Sequence, residues 1–109
     1  MADGAKLIAE CFPDLALELV NLLRSEGRGD LADQVDTLYL VDRCRCRDDF
    51  CATFYTAPRP TGAWGPGHET VVLDPSTGYL NVDVLNGRVV SVEVLYCDAV
   101  RASLDRLLP

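Results

Sequence analysis

Tyr79-Leu80-Asn81-Val82-Asp83-Val84-Leu85-Asn86-Gly87-Arg88-Val89-Val90-Ser91-Val92-Glu93-Val94-Leu95-Tyr96 is the stretch whose reading decides the fold. In its first half Leu80, Val82 and Val84 alternate with Tyr79, Asn81 and Asp83. A period of two places the apolar set on one face of a strand and the polar set on the other. Asn86-Gly87 then supplies two residues that accept positive φ, as a two-residue hairpin turn requires. The valine-rich run Arg88 to Tyr96 completes an antiparallel hairpin.

Upstream, Glu69 to Leu73 is a third strand, entering the hairpin through the turn Asp74-Pro75-Ser76-Thr77-Gly78. Two more strands are predicted at Tyr39 to Arg47 and Phe50 to Thr56, joined by a turn at Asp48-Asp49. Downstream, Asp98 caps a short helix carrying Val100, Leu104, Leu107 and Leu108 on one side.

The N-terminal third reads as helix. Leu7, Ile8, Cys11 and Phe12 fall at helical spacing, and Pro13 imposes a kink or a restart. Leu15, Leu19, Leu22 and Leu23 form the next stripe, which Gly27 ends. Asp30 is placed to cap a short helix bearing Leu31, Val35 and Leu38. Residues 1–38 are thus predicted mainly helical and residues 39–96 mainly antiparallel β. The fold class is α+β in two layers, a meander of about five strands covered by N-terminal helices and a short C-terminal helix.

A chain of 109 residues supports one domain with one modest core, residues 1–109. No run approaches the length of a membrane span, and Met1 to Lys6 lack the basic and apolar regions of a leader. A reducing cytoplasm is the expected compartment, with the five cysteines held as thiols or on metal. The net charge of −7 divides into −6 over residues 1–42, +2 over residues 43–59 and −3 over residues 60–109. This balance opposes general nucleic-acid binding, which depends on neutralising phosphates.

Chemistry-bearing side chains concentrate in Arg43-Cys44-Arg45-Cys46-Arg47-Asp48-Asp49-Phe50-Cys51. With a two-residue turn at Asp48-Asp49, Cys46 faces Cys51 and Cys44 faces Thr53, all three thiols on one side of the ribbon. Arg43 then pairs with Phe54 and Arg45 with Ala52. Three readings of Cys44, Cys46 and Cys51 stand together: small buried hydrophobes, a metal site, or a redox pair. Zinc wants four ligands in a tetrahedron, so His68 or Cys97 would have to complete the set. C-x-C on a strand sets its two ligands about 7 Å apart, wide for one ion. No stoichiometric zinc and no other cofactor are therefore expected.

Arg43, Arg45 and Arg47 alternate, which allows a guanidinium patch for a carboxylate, a phosphate or an acidic protein. The bland alternative is a solvated strand face paired with nearby aspartates. The twelve residues Ala57 to His68 hold three prolines and three glycines around Trp64, and read as a loop. They lack the lysine and strand–helix setting of a phosphate loop. Trp64 is either a binding tip or a residue that pins the loop to the sheet. His68, the one histidine, is the only candidate for imidazole chemistry, with a hairpin cysteine as nucleophile and Glu69 or Asp74 orienting the ring. No nucleophile elbow accompanies it, and no residue is assigned a catalytic role.

Arg43 to Tyr55, followed by Gly65-Pro66-Gly67-His68, resembles small uncharacterised bacterial proteins that share a C-x-C-x4-C hairpin. Gly87 to Leu95 is similar to the closing hairpin of several bacterial domains of unknown function. Neither resemblance implies an activity. The leading expectation is a non-enzymatic domain that docks a protein or small anion through Arg43, Arg45, Arg47, Trp64 and His68, with a homodimer compatible. The rival is a metal-binding or thiol-redox module on the cysteines.

Overall fold

The computed structural model describes residues 6–109. Met1 to Ala5, part of the segment expected to be helical and read for a leader, lie outside the described residues. Strand β1, Lys6–Leu7, leads into α1, Ile8–Cys11, where the Glu10 carboxylate accepts the Leu7 N–H at 3.3 Å. Leu7 therefore sits in a strand instead of a helix. It pairs with Tyr39 while Lys6 pairs with Leu40 of β2, Tyr39–Leu40. The chain restarts as helix at Pro13, the first residue of α2, Pro13–Ser25. There the missing N–H costs nothing, because first-turn donors have no helical partner.

Leu15, Ala16, Leu19 and Leu23 form the buried stripe of α2. The helix ends where Arg28 N–H reaches Leu23 O at 2.9 Å and Gly27 N–H reaches Arg24 O at 3.0 Å. This is the doubled closure that satisfies the last carbonyls of a helix. Beyond it, one expected helix is two short pieces, α3 at Gly29–Ala32 and a 3-10 turn at Val35–Thr37. Asp30 binds the Arg28 guanidinium rather than capping. Leu31, Val35 and Leu38 are nevertheless all buried, so the apolar spacing holds although the helix is broken.

The main sheet has five antiparallel strands: β3 Asp42–Arg43, β4 Phe54–Tyr55, β5 His68–Val72, β6 Tyr79–Leu85 and β7 Arg88–Leu95. Their spatial order is β3-β4-β7-β6-β5. The expected meander is therefore interrupted once. After β4 the chain travels through the glycine–proline loop to the far edge, then winds back as β5, β6 and β7. Asn86 and Gly87 take φ of 51° and 83°, and Leu85 pairs with Arg88, so the two-residue turn forms as expected. A bulge between Asp83 and Val84 shifts the register from Asp83↔Ser91 to Val84↔Val89.

The alternation in β6 and β7 resolves into two faces. Leu80, Val82, Val84, Val92 and Val94, with Phe54 from β4, share one core with Ile8, Phe12, Leu19, Leu23 and Leu31. Phe12 and Phe54 meet with ring centroids 5.1 Å apart. Helix α4, Asp98–Leu107, adds Val100 and Leu104 to this same core. Each such side chain contributes about 1.5–3 kcal/mol on full burial. On the opposite face, register aligns Thr70, Asp83, Ser91 and Tyr55 in a row across four strands. No helix among the described residues is long and apolar enough to cross a membrane.

Candidate metal centre

The hairpin pairs only at its base. Asp42 is opposite Tyr55 and Arg43 opposite Phe54, the register expected from the sequence, and the Cys44 N–H still reaches Thr53 O at 2.9 Å. After Cys44 the chain leaves the ladder. It turns at Asp48–Cys51, where Cys51 N–H bonds Asp48 O at 3.2 Å, so Asp49 and Phe50 are the central turn residues rather than Asp48 and Asp49. The returning arm is held from its other side by β7. Tyr96 N–H bonds Phe50 O at 2.8 Å, Cys51 bridges to Leu95, and Ala52 N–H bonds Val94 O at 2.8 Å. From α4, Arg101 donates to the carbonyls of Asp48 and, at 2.9 Å, Cys51.

This arrangement brings the sulfurs of Cys44, Cys46 and Cys51 within 4.8 Å of one another. The 7 Å separation expected for C-x-C does not apply, because residues 44–46 are no longer a strand and their side chains are free to converge. Cys51 is buried, Cys44 half-buried and Cys46 exposed, so the cluster opens to solvent on one side. Burial alone would raise the Cys51 thiol. Hydrogen bonds from the Thr53 N–H and hydroxyl, and from the thiols of Cys46 and Cys44, outweigh it and hold Cys51 below the usual thiol range. Burial, with the neighbouring Cys51 charge also acting, pushes the Cys44 thiol up to about 11. Of the two thiols, Cys51 therefore gives up its proton before Cys44 does.

The arginines are not the common outward patch that alternation allows. Arg43 is only 9% exposed; its Nη1 donates to Asp105 Oδ1 at 2.8 Å and to Leu108 O at 3.3 Å. Arg45 binds Asp42 Oδ1 at 3.2 Å and Pro109 O at 3.1 Å. Both are engaged in tying the C-terminal segment to the hairpin. Arg47 is exposed and forms no ion pair among the described residues. The long-range destination of α4 decided this, and nothing local to Arg43 reports it.

His68 and Trp64 lie on the sheet face away from the helices. His68 Nε2 is 2.9 Å from Asp83 Oδ1, so its partner is neither Glu69 nor Asp74, and it does not join the sulfurs. Thr70 and Ser91 also donate to Asp83, at 2.9 and 2.7 Å. Trp64 packs against Tyr55, ring centroids 6.2 Å apart, and the Arg59 guanidinium lies 5.5 Å above the same ring. Cys97 likewise stays out of the sulfur group; with Cys11 it lines a separate pocket of about 250 Å³ between α2 and α4. Sequence reasoning overlooked Thr53, Arg101 and Asp83. Only Asp83 had a signal, as a carboxylate in the polar phase of β6 with a serine interrupting the valines opposite.

Three thiols converging without a neighbouring carboxylate or imidazole suit a soft cation better than a hard one, since thiolate is a soft donor. Asp42, Asp48 and Asp49 each lie two residues from a cysteine of the cluster, yet none joins the group, and Asp42 is occupied by Arg45. Compared with known proteins, the chain matches no family model, no curated protein and no solved structure.

Proposed function

We propose that this chain is a small, non-enzymatic, metal-binding domain of a reducing cytoplasm, with Cys44, Cys46 and Cys51 as its ligands. The observation that carries this reading is the approach of the three sulfurs within 4.8 Å. A thiophilic ion with bonds of about 2.3 Å needs them only slightly closer. Cys46, on the segment outside the ladder, supplies that adjustment, while Cys44 and Cys51 are fixed by backbone hydrogen bonds. Arg101, clamped on the carbonyls of Asp48 and Cys51, holds the turn that carries the ligands. Docking of a protein or small anion through the arginines is less favoured, because Arg43 and Arg45 already bind Asp105, Asp42 and the final carbonyls.

Reduced, metal-free protein titrated with cadmium tests the reading. One equivalent should develop a thiolate-to-metal absorption band and protect three of the five cysteines from a thiol reagent, leaving Cys11 and Cys97 reactive. Five thiols reacting equally with and without cadmium would remove the site.

A further inference from the structure

Resting on the metal-binding reading, we propose that the resident ion is copper(I), held by Cys44, Cys46 and Cys51 as a three-coordinate thiolate complex without a fourth protein ligand. The coordination number is the argument. Among the described residues the group contains three sulfurs and no other His, Cys, Asp or Glu donor. The two side chains that the sequence offered as a fourth ligand are elsewhere. His68 is held by Asp83, and Cys97 stands at the start of α4 over a different pocket.

Zinc in structural sites takes four protein ligands in a tetrahedron; here it would keep a water on the side left open by Cys46. Copper(I) is softer, is selected by thiolates, and is satisfied by three of them. Metal–sulfur bonds of about 2.3 Å place three sulfurs about 4 Å apart in a trigonal plane, a small contraction of the observed cluster.

The two oxidation states differ in the charge they leave on the site. Three thiolates around one monovalent cation leave two negative charges on the complex. A divalent ion would leave one. The turn that carries the complex is flanked by Arg45 and Arg47 in sequence, and the Arg101 guanidinium is clamped on the carbonyls of Asp48 and Cys51.

The test loads the reduced 109-residue chain with zinc, then adds equimolar copper(I) delivered from a competing chelator, and reads the metal's neighbours by X-ray absorption. The expected result is complete displacement of zinc, one copper per chain and three sulfur neighbours. Cys46→Ser should lower the copper(I) affinity about a hundredfold or more, as expected when one of a few ligands sharing the binding energy is lost. Cys11→Ser and Cys97→Ser should leave it unchanged. Zinc retained against copper, in a four-coordinate site, overturns the copper assignment and leaves the metal-binding reading standing. Failure of cadmium, zinc and copper(I) alike overturns both.

Discussion

Arg43 Nη1 lies 2.8 Å from Asp105 Oδ1, joining the strand that enters the cysteine turn to the last turn of α4. The pair is asymmetric: the arginine side chain is 11% exposed and the aspartate 58%. A buried guanidinium that also reaches Leu108 O makes this link structural, and it sets the first expectation.

Arg43→Gln should destabilise the fold by about 1–3 kcal/mol, the cost of removing charge-assisted hydrogen bonds from a largely buried donor. Arg47→Gln, at an exposed position, should change stability by less than about 0.5 kcal/mol. Denaturant unfolding of the two variants separates the roles. Equal effects would contradict the different environments of the two arginines.

Gln34 joins the helical segment to the end of the β6–β7 hairpin. Its Nε2 donates to Gly87 O at 2.7 Å and its Oε1 accepts the Val89 N–H at 3.0 Å, closing both groups just past the turn. Gln34→Ala should cost about 1–2 kcal/mol. Amide hydrogen exchange should show faster exchange at Val89, with the centre of β7 protected as before.

Acid stability should depend on Asp83. Its burial would raise the carboxyl, but hydrogen bonds from His68, Ser91 and Thr70 outweigh this and hold it below the ordinary range. A depressed folded-state value stabilises the protein above the unfolded value of about 3.9, and the contribution is lost as pH falls through the folded value. Asp83→Asn should therefore be less stable than the parent at neutral pH. The gap should close from about pH 5 downward in urea melts recorded along the pH axis. A gap independent of pH would mean the carboxylate charge is not what matters.

The thiols give an alkaline counterpart. With Cys44 pushed up to about 11, its thiol stays protonated in the folded metal-free protein where an unfolded thiol, at about 8.5, has ionised. The native state then binds the extra proton, so this group lowers stability as pH rises between the two values. Thiolate absorbance should show a late step near pH 11 that Cys44→Ser abolishes. Persistence of that step in the variant would assign it to another cysteine.

Much of the fold was legible because its signals are local. Asn86-Gly87 between alternating segments specified a hairpin turn whatever surrounds it, and Pro13 marked a kink or a restart, of which the structure shows the restart. Leu31, Val35 and Leu38 marked buried positions correctly even though the helix expected to carry them is broken. Leu7 was misread because apolar residues in a short run carry no period, and its partner Tyr39 is far along the chain.

What the sequence by itself determined was the class of the longer segments, the apolar faces of β6 and β7, and the base of the cysteine hairpin. These follow from side-chain periodicity and turn chemistry, which act over a few residues. Only the tertiary structure decided which strand lies beside which, and with it the site. Placing β4 against β7 clamps residues 50–52 from behind, and the closing α4 captures Arg43 and brings Arg101 onto the turn. Those contacts hold the returning arm while residues 45–47 leave the ladder, which lets three sulfurs converge that a regular strand would keep apart. Such convergence depends on pairings of high sequence separation, and no local pattern encodes them.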